Sequence, residues 1–333
     1  MSVKVAINGF GRIGRSVLRA LVEQDRRDIE IVAINDLGPV DSLAHLLRFD
    51  SVHGRFPGTV RTGPDSLDVG RGPIRVTAQR DPALLDWSGV DIVLECTGIF
   101  KSRDKAALHL ENGAKRVLVS APAEGADKTI VYGVNHGLLS AGDRIVSNAS
   151  CTTNCLVPVV KVLNEAIGIE RAFMTTVHSY TGDQPTLDAL HSDPYRGRAA
   201  AMSMVPTSTG AARALTLVLP EMTGRIDGVA VRVPTPNVSL VDLTFDAPRP
   251  TSAEEINDAI RAAAAGPLKG ILGVTEDKLV SIDLNHEPRS SVFSTDQTRV
   301  TDGTLCRILT WYDNEWAFSC RMLDTAAEMA RFL

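Results

Sequence analysis

The chain has 333 residues, 44% hydrophobic and 23% charged, with 35 Lys and Arg against 40 Asp and Glu for a formal charge of -5. That length can fill two domains with a core each, and the slight acidity gives no electrostatic reason to expect nucleic acid or a membrane as the main partner. No stretch approaches the roughly 20 apolar residues of a membrane helix, and Met1 to Lys4 lead into a strand pattern with no signal-peptide layout, so a cytoplasmic location is expected.

In chain order, Val3 to Asn8 is a short apolar run, Gly11 to Val22 has helical periodicity, and Ile29 to Asn35 is again β-branched and apolar. The runs Ile92 to Glu95, Val117 to Ser120, Thr129 to Val134 and Ile145 to Val146 follow. Strands alternating with helical crossovers predict a mostly parallel sheet with helices on both faces.

Within the first unit, "INGFGRIG" supplies Gly9, Gly11 and Gly14 as G-x-G-x-x-G between a strand and a helix. The first glycine permits a tight turn, the second lets a pyrophosphate approach the backbone, and the third lets helix and strand pack closely. The helix start then offers free N–H groups to phosphate. Asp36 closes the second strand 22 residues after Gly14, where a carboxylate holds the adenosine ribose hydroxyls and repels a 2′-phosphate. NAD is therefore expected as cofactor, in preference to NADP.

After residue 150 the pattern changes. A helix is predicted from Cys151 to Ile167, ended by Gly168 and carrying Pro158, which should bend it or open one hydrogen bond. Alternating runs at Glu170 to Val177, Gly228 to Val233, Val238 to Phe245, Leu279 to Leu284 and Leu305 to Tyr312 suit a mainly antiparallel sheet covered on one face. Helical stretches near Thr209 to Leu219 and Ala253 to Ala265 supply the cover, and Asn314 to Leu333 is helical again. The fold class is α/β: an N-terminal Rossmann dinucleotide-binding domain, residues 1–150 joined by the closing helix 314–333, plus an α+β catalytic domain, 151–313.

"SNASCTTNC" places Cys151 and Cys155 four positions apart at the head of that helix. Five cysteines at irregular spacing argue against a disulfide framework. Two thiols at i,i+4 with His178 are poor spacing for zinc and lack a fourth ligand, so no metal is expected. Ser150 can cap the helix, leaving Cys151 in its first turn, where the macrodipole favours thiolate; Cys155 lies one turn deeper and reads as core. A helix of about 25 Å and a returning strand of about 26 Å bring His178 level with Cys151. Inert packing of Cys151 or a satisfied buried His178 remain open when each is taken singly. A thiolate beside a nicotinamide suggests attack on an aldehyde, hydride loss from the hemithioacetal and release of a thioester.

"NGFGRIGR", "IVSNASCTTNCLVP", "VHSYTGDQ", "MVPTSTGAA", "VAVRVPTPNVSLVDLT" and "LTWYDNEWAFSCRM" lie in order along nearly the whole chain. Together they resemble the phosphorylating glyceraldehyde-3-phosphate dehydrogenases. The resemblance implies a homotetramer that converts glyceraldehyde 3-phosphate, NAD and inorganic phosphate into 1,3-bisphosphoglycerate and NADH. It makes Cys151 the acylated nucleophile and His178 its activator and acid–base partner. Thr181 and Arg232 match the site of the substrate's phosphate, and Ser150, Thr152, Thr209 and Gly210 that of inorganic phosphate, with Arg198 a nearby cation. For NAD it implies Arg12 and Ile13 at the pyrophosphate, Asp36 at the ribose, Arg80 and Ser120 as further contacts, Thr97 and Gly98 on the adenine side, and Asn314 at the carboxamide. Residues from Tyr180 to about Met202 are implied to form a long loop reaching toward a neighbouring subunit.

Some positions depart from the family pattern. Phe318 stands where a tyrosine is common, Ala317 where a glycine is frequent, and Leu190 where many NAD-specific members carry proline; Leu37 beside Asp36 still favours NAD. Two other readings keep the cysteine motif: an erythrose-4-phosphate dehydrogenase, and a nucleotide-binding regulator using Cys151 as a redox switch. Intact "TSTGAA" and "HSYTGDQ" count against the first, and the occupied catalytic positions against the second as sole role.

Overall fold

Apolar β-branched runs with both faces buried become the strands of a parallel sheet, and in the N-terminal half they come at the spacing of βαβ units. The computed structural model describes residues 2–333 and divides into two compact units, 1–149 with 319–333 and 150–318.

The first unit is built on a nine-stranded sheet. Strand Val3–Asn8 lies between Ile29–Asn35 on one side and Ile92–Glu95 on the other, both parallel to it. Arg116–Val119, Ile145–Ser147 and Lys128–Thr129 extend the sheet beyond Ile92–Glu95, and Pro73–Thr77, Ser66–Asp68 and Arg61–Gly63 extend it beyond Ile29–Asn35. Chain order reverses at the first strand, the point where such sheets open a crevice at their carboxyl ends. Helix Arg12–Glu23 follows that strand and buries Val17, Leu18 and Leu21.

One expectation fails in this unit. Only Lys128–Thr129 of the run to Val134 is strand. The Asn135 side chain accepts from Val131 N and donates to the Thr129 carbonyl, diverting the backbone into a turn while Ile130 and Val131 stay fully buried. Those residues are apolar because they are core, and only Ile130 N still reaches the neighbouring strand, at the Ser147 carbonyl.

In the second unit, helix Cys151–Ala166 runs without interruption through Pro158 and packs on a mixed eight-stranded sheet. Strand Arg171–Ser179 is parallel to Ile226–Val233 and antiparallel to Ser239–Asp246, which pairs antiparallel with Leu305–Tyr312. Helices Ala211–Val218 and Ala253–Ala265 cover the same face as Cys151–Ala166, where Met174, Leu243 and Phe245 are buried. By register Phe173, Val229 and Leu305 share the opposite face, and each is about half exposed. The predicted strand Leu279 to Leu284 is instead a loop ending in the 3-10 turn Ser281–Leu284, because the Asp283 carboxylate accepts from Val280 N and closes the turn. No helix among the described residues is long and apolar enough to cross a membrane.

Candidate active site

A crevice in the first unit is lined by Asn8, Gly9, Gly11, Asp36, Arg80 and Thr97, together with Phe100 and others. Gly9 has φ 92°, open to glycine, and a Cβ there would fall 2.7 Å from Thr97 N. A Cβ on Gly14 would fall 2.2 Å from the Gly9 carbonyl, whereas one on Gly11 would meet nothing within 4 Å. The loop is thus closed toward the strands and open on the side where a pyrophosphate has to approach, so the residues present fit a dinucleotide. Asp36 is held at the crevice by Phe10 N on Oδ2 (2.7 Å) and Gly38 N on Oδ1 (3.1 Å), with lone pairs left for ribose hydroxyls.

The remaining cofactor candidates stand around this core. Ile13 opens helix Arg12–Glu23, whose N-cap is Gly11. The Arg12 side chain turns to Asp50 at 2.6 Å. Gly98 turns the chain at φ 72°, and Ser120 N donates to the Glu95 carbonyl just past strand Arg116–Val119. Leu37 lies on the rim, half exposed.

In the second unit, Ser150 caps helix Cys151–Ala166 by accepting from Thr153 N at 3.1 Å, so Cys151 opens the helix. Ala149, just before the cap, holds φ 57°, a left-handed conformation that costs a non-glycine residue about 1–3 kcal/mol. Strand Arg171–Ser179 brings His178 back to the helix start, with Nε2 3.5 Å from the Cys151 sulfur. His178 Nδ1 lies 2.7 Å from the Ser179 carbonyl, which can only accept. Nδ1 therefore carries the proton, and Nε2 presents its lone pair to the thiol. The Tyr312 ring meets the imidazole edge-on, and its hydroxyl is shared by Thr152 and Thr176 at 2.8 Å each.

Burial lowers the imidazole to about 3, helped by the nearby Arg232 charge, so His178 is a neutral base over the physiological range. Burial also pushes the Cys151 thiol up, against the pull of Arg232 and the Thr152 backbone N–H. The resting pair is a thiol facing a ready acceptor, where the macrodipole alone favoured a free thiolate. Cys155 is fully buried, beside Ser291, and its thiol is raised to about 12, as suits an inert core residue. None of the five cysteines is in a disulfide.

Arg232 stands opposite His178 in the strand register and donates through Nη1 to Thr181 Oγ1 (3.0 Å) and the Ser179 carbonyl (3.1 Å). Its Nε is buried without a hydrogen-bond partner. Gly210 is the N-cap residue of helix Ala211–Val218, and Thr209 Oγ1 accepts from Ala211 N. Asn314 is buried, its Oδ1 accepting from Ser179 and Ser239 hydroxyls at 2.8 and 2.9 Å, which fixes the orientation of the amide. Ala317 and Phe318 are buried in the first turn of the last helix, Trp316–Ala330, and Leu190 is fully exposed on its loop.

Two candidates need correction. Thr152 is buried with its hydroxyl shared between Tyr312 and the Cys151 thiol, so hydroxyl and backbone N–H both serve the sulfur. Arg198 pairs with Asp188, both side chains more than half exposed, and has no contact with Cys151 or His178. The loop cation whose charge reaches His178, more weakly than that of Arg232, is Arg196, which reading the sequence missed. It is bound to Asp183 at 2.9 Å and to Thr207 at 3.0 Å, on the strand that leads to Thr209. The two arginines lie two residues apart in one loop, and only the contacts with Asp183 and Thr207 distinguish them.

Comparison with known proteins agrees with this geometry. Residues 3–103 match the family model "Glyceraldehyde 3-phosphate dehydrogenase, NAD binding domain", and residues 150–314 match its C-terminal domain. The chain is similar to the glyceraldehyde-3-phosphate dehydrogenase of Cereibacter sphaeroides, 69% identical with all of both chains covered, and to that of Xanthobacter flavus, 69% identical over 99% of each. Glyceraldehyde-3-phosphate dehydrogenase 1 of Bacillus subtilis is 52% identical over 99% of each chain.

Proposed function

Since the chain belongs to the glyceraldehyde 3-phosphate dehydrogenase family, we propose that Cys151 and His178, with the anion-holding groups around them, carry its reaction. The enzyme is an NAD-dependent dehydrogenase that oxidises glyceraldehyde 3-phosphate with inorganic phosphate to 1,3-bisphosphoglycerate. The observation that carries the assignment of roles is the 3.5 Å contact between the Cys151 sulfur and the unprotonated Nε2 of His178.

His178 takes the thiol proton as sulfur attacks the aldehyde carbon, and returns it to the carbonyl oxygen to complete a hemithioacetal. His178 then removes that hydroxyl proton as a hydride leaves the carbon, and Cys151 is left as a thioester. Bound NAD supplies the hydride acceptor. A phosphate oxygen adds to the thioester carbon, and the C–S bond breaks with its electron pair returning to sulfur. The Thr152 N–H, the helix N-terminus and Arg232 stabilise the sulfur anion until it regains a proton.

Two anions need fixed donors. Arg232 and Thr181 are assigned to the substrate's phosphate, supported by the unpartnered Nε of Arg232. Ser150, the Thr152 N–H, Thr209, Gly210 and Arg196 are assigned to inorganic phosphate. Asn314 is assigned to the nicotinamide carboxamide through its Nδ2. A homotetramer is the expected assembly, supported by the open sheet face with Phe173, Val229 and Leu305. Light scattering on the purified protein measures its mass directly.

The test is to mix enzyme, NAD and aldehyde without phosphate and locate the adduct by mass. An acyl group on the peptide carrying Cys151, released on adding phosphate, is the expected result. Turnover in a Cys151→Ser variant overturns the assignment.

A further inference from the structure

The first unit contains a buried ionisable pair that the chemistry above leaves unused. Glu95 closes strand Ile92–Glu95 at 1% exposure, and His109, on helix Arg103–Glu111, is fully buried. Trp87 Nε1 donates to His109 Nδ1 at 3.0 Å. An indole N–H can only donate, so the histidine is neutral with its proton on Nε2, and it donates to Glu95 Oε2 at 2.9 Å. Asn8 Nδ2 donates to the same oxygen at 2.6 Å, while Thr97 N (2.8 Å) and the Thr97 hydroxyl donate to Oε1. Four donors satisfy the two carboxyl oxygens, and no Lys or Arg side chain bonds them.

Two of the three residues this carboxylate bonds line the dinucleotide crevice. Asn8 and Thr97 line it, and the turn at Thr97 is the surface on which Gly9 packs. Asn8 Oδ1 accepts from Asn35, the residue before Asp36, at 2.8 Å. Phe100, another wall residue, meets the His109 ring edge-on. One buried carboxylate thus ties together the ends of the three adjacent strands whose loops shape the crevice.

We infer that His109, acting through Glu95, is a positioning residue for NAD: it fixes the Asn8 and Thr97 walls against the glycine loop and so sets affinity for the adenosine diphosphate half of the cofactor. This rests on the crevice being the NAD site. A role confined to folding would alter stability without changing the affinity of the folded protein.

The test uses Glu95→Gln and Trp87→Phe in the full chain, checked by circular dichroism and titrated with NAD and with ADP-ribose, which lacks the nicotinamide. Dissociation constants for both ligands are expected to rise together, on the order of tenfold, because a buried donor or acceptor loses its partner. At saturating NAD, kcat and the aldehyde KM should stay within about twofold of wild type, as for loss of uniform binding. His109→Gln, which keeps an N–H for Glu95, should recover most of the affinity. Unchanged ADP-ribose affinity in folded Glu95→Gln overturns the inference while wild-type binding stands. A wild-type chain that binds no ADP-ribose overturns the cofactor reading and this inference with it. Should Glu95→Gln fail to fold, Thr97→Val removes one donor to Glu95, with the acceptor of Ile99 N, and unchanged affinity there overturns the inference.

Discussion

Replacing His178 with Asn removes the base while leaving an amide N–H to bond the Ser179 carbonyl. A thiol at its usual value of 9.0 is only about 1% ionised at pH 7, and burial pushes Cys151 above that value. Without a proton acceptor 3.5 Å away, general-base assistance worth on the order of 100-fold or more is lost and only the small ionised fraction reacts. In barrier terms this is about 3 kcal/mol or more. The assay is the second-order rate of iodoacetamide alkylation as a function of pH, paired with the single-turnover burst of NADH. In the wild type the base is neutral down to about 3 and the thiol is protonated up to alkaline pH, so the rate should be flat between these limits. In the variant the rate should climb about tenfold per pH unit until the thiol itself titrates. A variant that alkylates within about threefold of wild type at pH 7, with the same profile, refutes the assignment of His178 as base.

Three further outcomes follow from named contacts. Gly14→Ala puts a Cβ 2.2 Å from the Gly9 carbonyl, so the glycine loop must move; urea denaturation should show a loss of about 1–3 kcal/mol and fluorescence titration a weaker NAD complex. Asp36→Asn keeps the polar contacts to Phe10 N and Gly38 N in part but removes the charge that repels a 2′-phosphate. The ratio of kcat/KM for NAD over NADP should drop on the order of tenfold, and an unchanged ratio places discrimination elsewhere. Arg196→Ala should raise the phosphate concentration needed for half-maximal turnover on the order of tenfold or more, and Arg198→Ala should leave it within about twofold. The reverse ranking would restore Arg198 as the phosphate-site cation.

Much of this fold could be read along the chain because burial and periodicity coincide there. The strands at Val3–Asn8, Ile29–Asn35 and Ile92–Glu95 are continuous apolar runs, as strands buried on both faces must be. Helix Ala253–Ala265 announces itself by its Ser252 cap and spaced apolar residues. The misreadings share one cause: strand pairing is decided by hydrogen bonds that an apolar pattern does not record. Asn135 takes the backbone that a strand through Val134 needs, and Asp283 does the same at Val280. At the site, Cys151, His178 and Asp36 were legible because helix caps and element lengths determine where they arrive. The choice between Arg196 and Arg198 was not, since both carry the same charge in one loop and only Asp183 and Thr207, distant in sequence, select one. The ties at Glu95 left no pattern either, because a carboxylate ending a strand looks the same whether water or four donors surround it.

The left-handed turn at Ala149 gives the nucleophile a place in the order of folding. Such a conformation persists only while the structure on both sides over-determines it. Until strand Ile145–Ser147 is paired and helix Cys151–Ala166 has formed, residue 149 relaxes to an ordinary backbone conformation and the thiol loses its alignment with the imidazole. During refolding, enhanced alkylation of Cys151 should therefore emerge only with the last phase of secondary-structure gain, making the sulfur a chemical clock for completion of the chain.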